Sequence, residues 1–261
     1  MQGGPKGDGT IFRVTRWGRL TTLHTFSGPD GKSPRAALIL GSDGNFYGTT
    51  STGGANDSAL CDGTGCGTIF KITPEGVLTT LYRFCARRDC ADGQWPTSSL
   101  VEGTDGNFYG TNYGGGAFNY GTAFKITPEG RLTTLHSFSL SDGAIPYAGL
   151  VQGSDGAFYG TTSSGGDPTC SCGTIFSLST GLAPFVKTLP TTGGVGTTVM
   201  LLGNNLLGST SVTFNGVAAA FQIISDTEIQ ATVPTGATTG TVDVTTSAGT
   251  LNSNVAFRVT R

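Results

Sequence analysis

Charge is scarce in this sequence. Only 12% of its 261 residues are Asp, Glu, Lys or Arg, about half the usual share for a globular chain. The 15 basic and 17 acidic side chains nearly cancel, for a net charge of −2. Without a basic excess there is no electrostatic ground for nucleic acid or an anionic membrane as partner. Histidine is rarer still, at His24 and His136 only. No apolar run approaches the 18 residues that membrane insertion needs. The opening MQGGPKGDGT has no basic-then-apolar export segment. Gly-x-Ser-x-Gly is absent, so there is no nucleophile elbow. Gly-rich runs such as YGGGAF follow strand-like segments but open no helix, which argues against a phosphate cradle. No cofactor is expected.

Glycine is abundant, at 43 residues, and Ser and Thr are plentiful. With 36% apolar residues in regular alternation, the chain reads as all-β and rich in turns rather than disordered. Its length suffices for two ordinary domains. Six cysteines fall in close pairs: Cys61 and Cys66, Cys85 and Cys90, Cys170 and Cys172. An even, paired set points to disulfides and an oxidising compartment. The rival is zinc, whose ligand pairs have similar spacing. The two histidines lie in strand-like runs far along the chain, so disulfides are preferred and no metal is assigned. Cys170-Ser171-Cys172 would close a small ring, so whether that pair is joined stays open.

Four motifs recur in order. GTIF begins at Gly9, Gly67 and Gly173, with GTAF at Gly121. LTTL begins at Leu20, Leu78 and Leu132. Asp-Gly-x-x-Pro-x-x-x-Leu spans Asp30 to Leu38, Asp92 to Leu100 and Asp142 to Leu150. Finally GSDGNFYGTT, GTDGNFYGTN and GSDGAFYGTT begin at Gly41, Gly103 and Gly153. Leu100 to Leu150 is 50 residues and Leu38 to Leu100 is 62. The long copy has four extra residues beside Cys85 and Cys90, and eight around Cys61 and Cys66. A disulfide shortens the free length of a long loop, which favours staples over metal.

Each unit reads as four short strands: AALIL, NFYGTT, GTIFKIT and VLTTLYRF in the copy from Ala36 to Phe84. Four antiparallel strands in about 50 residues make a propeller blade, and blades cover one another's faces. The copies amount to about three and a half blades, and the chain starts inside one. This predicts the C-terminal portion of a longer protein. The alternatives are closure through a partner chain, or a four-bladed ring with one incomplete blade.

Strand alternation sends the second-to-third loops and the blade-to-blade loops to one face. All six cysteines fall there. So do Trp95, Tyr113, Phe118, Tyr120 and Tyr147, with the repeated acids Asp30, Asp92 and Asp142. These eight residues are the candidate ligand-binding set, since rings in a cleft stack on sugars and loops on a rigid scaffold carry binding; the alternatives are that the acids, each before Gly, cap loops and that the rings pack them. His24 and His136 share a repeat position with Tyr82, which suggests sheet packing rather than catalysis. Asp43, Asp105 and Asp155 each precede Gly in a hairpin turn, and turn chemistry explains them. No catalytic residue is assigned.

GTIFKITPEG, LTTLYRF and LVQGSDGAFYGTT resemble the GloVer tandem-repeat family over roughly residues 7 to 180. The resemblance implies propeller-like β repeats and brings no established activity. After Ser179 the pattern changes to short alternating strands. Pro190, Gly193, Gly196-Thr197, Gly203, Val212 to Gly216, Ile229, Val233-Pro234 and Phe257 resemble the IPT/TIG immunoglobulin-like family. The expected domains are therefore 1–180, propeller-like, and 181–261, an Ig-like sandwich. The function expected is non-catalytic binding or adhesion at the cell surface or outside the cell, toward polysaccharide or protein. Alternatives are a glycan-active enzyme or its accessory subunit, and a purely structural stalk or assembly unit. Self-association to complete the propeller is also envisaged; nucleic acid and membrane insertion are not.

Overall fold

The computed structural model describes residues 3–54 and 59–260. The protein is all-β, with no α-helix among the described residues, and no helix is long and apolar enough to cross a membrane. The chain divides into two compact units: Met1–Val151 with Tyr159–Ser177, and Gln152–Phe158 with Leu178–Arg261.

In the repeat region, β1 (Thr10–Val14) and β2 (Leu20–Thr25) pair as a hairpin. Next, β3 (Ile39–Leu40), β4 (Phe46–Thr50), β5 (Thr68–Ile72) and β6 (Leu78–Arg83) form a four-stranded meander. The following copy has β7 (Gln94–Pro96), β8 (Val101–Glu102), β9 (Phe108–Gly114), β10 (Thr122–Ile126) and β11 (Leu132–Ser137), with β7 and β8 both pairing β9. The last copy stops at three strands: β12 (Val151–Gln152), β13 (Phe158–Thr161) and β14 (Ile175–Leu178).

The repeated decapeptide is a self-anchored hairpin. Asp43 accepts the Asn45 amide at 3.0 Å, the Asn45 side chain at 2.7 Å and the Tyr47 hydroxyl at 2.9 Å. Asp105, Asn107 and Tyr109 repeat this arrangement. Its glycine serves close packing: Gly48 lies opposite Phe70 across β4 and β5, and a Cβ there would come 2.7 Å from the ring. Every copy that has the third and fourth strands shifts register at one place, between Ile11 and Phe12, Ile69 and Phe70, and Ala123 and Phe124.

Successive copies seal each other. The phenylalanine ending one fourth strand packs edge-on against the GTIF or GTAF phenylalanine of the next copy. The pairs are Phe26 with Phe70 at 5.4 Å, Phe84 with Phe124 at 5.4 Å, and Phe138 with Phe176 at 4.9 Å. Burying such a ring is worth about 2–3 kcal/mol, plus about 1 kcal/mol for ring geometry. Tyr47 also stacks on Phe108 of the next copy at 3.9 Å. Where no neighbour covers a copy, apolar surface shows. Phe12 is 56% exposed while its counterparts Phe70 and Phe124 are fully buried, and Ile175 is 84% exposed against 0% for Ile69.

Proline makes a second seal. Pro96 crosses Gly67 of the preceding copy, where a Cβ would lie 2.6 Å from its ring, and Pro146 crosses Gly121 in the same way at 2.7 Å. The residue before each proline adopts left-handed φ: Ser33 at 58°, Trp95 at 56° and Ile145 at 58°. Each donates its amide to the residue before the glycine, namely Asp8, Cys66 and Tyr120, at 2.8–2.9 Å. That bond holds a backbone conformation otherwise unfavourable before proline.

The second unit contains β15 (Phe185–Leu189), β16 (Thr192–Gly193), β17 (Thr198–Leu202), β18 (Ser211–Phe214) and β19 (Val217–Ala218). It continues with β20 (Phe221–Ser225), β21 (Glu228–Thr232), β22 (Val242–Thr246), β23 (Gly249–Ser253) and β24 (Arg258–Val259). The long sheet runs β19-β18-β22-β23-β15-β17-β21-β20. β15 links two layers: Phe185 and Val186 pair parallel with β23, whereas Lys187 to Leu189 pair antiparallel with β17. Alternating residues of both layers, including Val199, Leu201, Phe214, Ile229, Val244 and Phe257, form one buried core. The result is an Ig-like sandwich without cystine.

Candidate functional site

A cleft of about 280 Å³ opens in the repeat region, lined by Arg35, Ser51, Thr52, Asp62, Thr64, Trp95, Thr97, Tyr113 and Tyr147. The lining follows the repeat register. Arg35, Thr97 and Tyr147 each follow the motif proline in three successive copies. Ser51 and Tyr113 occupy matching positions, each directly after the repeated decapeptide. Trp95 is brought in by its left-handed φ and its amide bond to the Cys66 carbonyl.

The three aromatic rings form a ladder. Trp95 and Tyr113 lie 5.9 Å apart, and Tyr113 and Tyr147 meet edge-on at 5.0 Å. Trp95 and Tyr113 are half-buried and Tyr147 is exposed. Partial desolvation, together with the Tyr113 phenol, raises the Tyr147 hydroxyl above the ordinary phenol range, against the pull of Arg35. The hydroxyl therefore stays protonated and able to donate. One cation, one carboxylate, hydroxyls and rings make a nearly neutral, amphipathic surface.

A larger depression of about 450 Å³ lies beside it and shares Thr64, but its lining is mostly glycine backbone. Its two charged groups, Lys32 and Asp8, already pair at 3.2 Å. It offers no rings for stacking.

Of the eight residues expected to bind ligand, the structure gathers Trp95, Tyr113 and Tyr147. Phe118 and Tyr120 are exposed in the β9–β10 loop and do not line the cleft. The three acids need correction. Asp92 is fully buried and accepts the Tyr82 hydroxyl at 2.8 Å and the Ala86 and Arg87 amides at 3.0 and 3.2 Å. Asp30 accepts His24 Nε2 at 2.8 Å together with the Ser27 amide and hydroxyl. Asp142 repeats this with His136 and Ser139. These carboxylates fasten the blade-to-blade loops and do not face the cleft. Burial works against ionisation of Asp30 and Asp142, but the serine donors and the histidine overcome it, so both are held below the usual carboxylate value. The histidines do more than pack: each ring also lies edge-on to Phe26 or Phe138.

The disulfides join Cys61 to Cys66, Cys85 to Cys90 and Cys170 to Cys172. The first two pairs sit together against Trp95 in a buried cluster. Asp62, inside the Cys61–Cys66 loop, reaches the cleft. Sequence reasoning missed Arg35, Asp62, Ser51, Thr52, Thr64 and Thr97. Aligning the copies on their prolines would have exposed Arg35 and Thr97 beside Tyr147.

No curated protein matches this chain. Among solved structures, it is similar to a novel fungal alcohol oxidase of the AA5 family in complex with copper, at 15% identity and a TM-score of 0.43. That match covers 96% of this chain and 59% of the oxidase, so the chain spans less than two thirds of that protein. It is also similar to a putative gluconolactonase at 12% identity and a TM-score of 0.39, covering 97% of this chain and 83% of that one. The model of the Gloeobacter/Verrucomicrobia repeat matches residues 1–223, reaching past the last blade motif into the sandwich. The chain, with its repeated Gly-Thr-x-Phe, Asp-Gly-x-x-Pro and Asp-Gly-x-Phe-Tyr-Gly elements, belongs to the Gloeobacter/Verrucomicrobia repeat family.

Proposed function

We propose that this protein is a non-catalytic, extracellular or cell-surface binding protein whose Trp95–Tyr113–Tyr147 cleft takes an uncharged polysaccharide segment. The aromatic ladder carries the reading. Sugar rings present C–H faces that lie on aromatic rings, and flanking hydroxyls and one Arg–Asp set satisfy sugar hydroxyls. A single carboxylate, Asp62, lines the cleft, where glycosidases usually use two. The disulfides suit an oxidising compartment. We assign the C-terminal unit to the IPT/TIG type, as a spacer that presents the repeat region.

Affinity electrophoresis in gels containing neutral polysaccharides tests this. Retardation that disappears in Trp95→Ala is expected. Release of reducing sugar would instead establish the enzyme reading, and failure to bind any glycan while capturing a protein would overturn the choice of ligand.

Assembly is a second reading, supported by Phe12. Inside the chain its counterparts are always covered by the phenylalanine of a neighbouring copy, and Phe12 itself lies open. Phe26, Phe84 and Phe138 are already engaged within the chain, so the proposed cover is a second copy meeting this one through the same open face, Phe12 against Phe12. Sedimentation should show concentration-dependent association that Phe12→Asp removes; a monomer at all concentrations overturns it.

A further inference from the structure

We propose that Cys61, Cys66, Cys85 and Cys90, once reduced, form a tetrathiolate site for Zn²⁺. Their four sulfur atoms lie within 4.8 Å of one another. A zinc ion with bonds of about 2.3 Å places its four sulfurs about 3.8 Å apart, while a disulfide holds its two at about 2 Å, so on reduction each pair opens by about 1.8 Å and the separations between pairs close by about 1 Å or less. The ligands arrive as two pairs, each with four intervening residues, from two different loops of one blade. That is the arrangement of structural zinc sites, in which two short loops each contribute a pair.

The surroundings suit a buried dianionic cluster. Cys61, Cys66 and Cys90 are buried and Cys85 is half-buried, which leaves one approach for reductant and ion. The two loops carry Arg87 and Arg88 against Asp62 and Asp89, so their charges balance, and Arg88 is exposed and paired with Asp89 at 3.4 Å. Buried Gln94 places its side-chain oxygen 3.2 Å from Cys61 Sγ. Turning the amide over would aim an N–H at a thiolate, the kind of outer contact that steadies metal ligands. Trp95 closes the cluster on one side.

The chemistry balances. Each cystine takes two electrons and two protons from an external dithiol, which closes to its own cyclic disulfide. Zn²⁺ then displaces the four thiol protons to solvent as the Zn–S bonds form. The loops remain stapled in both states, by two S–S bonds in one and by the metal in the other. This inference does not depend on the polysaccharide reading.

The test reduces the full chain with dithiothreitol, removes the reductant without oxygen, and titrates Co²⁺ and then Zn²⁺. One Co²⁺ per chain should develop the intense visible bands of tetrahedral thiolate coordination, and one equivalent of Zn²⁺ should bleach them. Cys85→Ser combined with Cys90→Ser should abolish the bands. Cys170→Ser combined with Cys172→Ser should keep them. Absence of the bands, or their dependence on Cys170 and Cys172, overturns the proposal. Circular dichroism covers the remaining case: a reduced chain that unfolds and is not refolded by Zn²⁺ also overturns it.

Discussion

The Tyr82 hydroxyl donates to Asp92 at 2.8 Å, in the place where His24 meets Asp30 and His136 meets Asp142. A phenol and an imidazole thus do one job: each delivers a polar hydrogen to a loop carboxylate from the same strand position. The fourth strand is thereby tied to the loop that leads into the next blade. Burial of Tyr82 and its bond to Asp92 push the phenol well above its usual range, so this clasp keeps its proton at any ordinary pH.

Asp92→Ala should cost about 3 kcal/mol in urea unfolding, because it removes a fully buried carboxylate that accepts from a half-buried hydroxyl and two amides. Asp142→Ala, at a solvent-facing copy of the same clasp, should cost distinctly less. Equal losses at the two positions would show that burial does not set the strength of the clasp.

Acid stability follows from Asp30 and Asp142. Both have folded-state values below the ordinary carboxylate value, which is about 3.9 in an unfolded chain. Their contribution is therefore fully present above about pH 4 and fades as pH falls through the folded values. Asp30→Asn combined with Asp142→Asn should flatten the acid limb of a Tm-against-pH curve. An unchanged limb would exclude these carboxylates as its origin.

Gly67→Ala should destabilise by about 3 kcal/mol. Its φ is 95°, and the new methyl would meet the Thr50 carbonyl and the Pro96 ring. Gly63→Ala is the control, with a φ of 66° but open space around it, and should cost about 1 kcal/mol. Denaturation midpoints measure both.

Much of the fold was legible because its signals are local. Asp43-Gly44 had to turn, and the motif order showed units that cover one another. The site was legible only in part. Trp95, Tyr113 and Tyr147 stood out as aromatic residues on the loop face, but Arg35 and Thr97 carry no chemical signature and gain meaning only from their place after the motif proline. The acids misled for the opposite reason. Asp30, Asp92 and Asp142 recur on the right face, yet their bonds close back on the loop and strand, to His24, Tyr82 and His136 and to amides such as those of Ser27 and Ala86, and recurrence alone does not show which way a carboxylate turns. The early end of the last copy was legible too: no fourth LTTL follows Gly173, and among the described residues β14 has no fourth-strand partner.

In the cleft, Trp95→Ala and Tyr147→Ala should each weaken polysaccharide binding about tenfold, the loss of roughly one ring contact. Phe118→Ala should leave it unchanged. Isothermal titration compares them; equal losses from Phe118→Ala would move the binding surface to the β9–β10 loop.

Mild reductant should open Cys170–Cys172 first, because both residues are exposed, while the other two pairs are mostly buried. Mass mapping of alkylated peptides over time should show this order. Simultaneous labelling of all six would mean that the sulfur cluster is not shielded.

The crossing of Pro96 over Gly67 and of Pro146 over Gly121 is nearly the same at 2.6 and 2.7 Å, although the loops around the first crossing are longer. Architecture is thus uncoupled from decoration. A lineage can lengthen, shorten or re-stock the loops between one crossing and the next while blade spacing stays put, so specificity can diversify without renegotiating the scaffold.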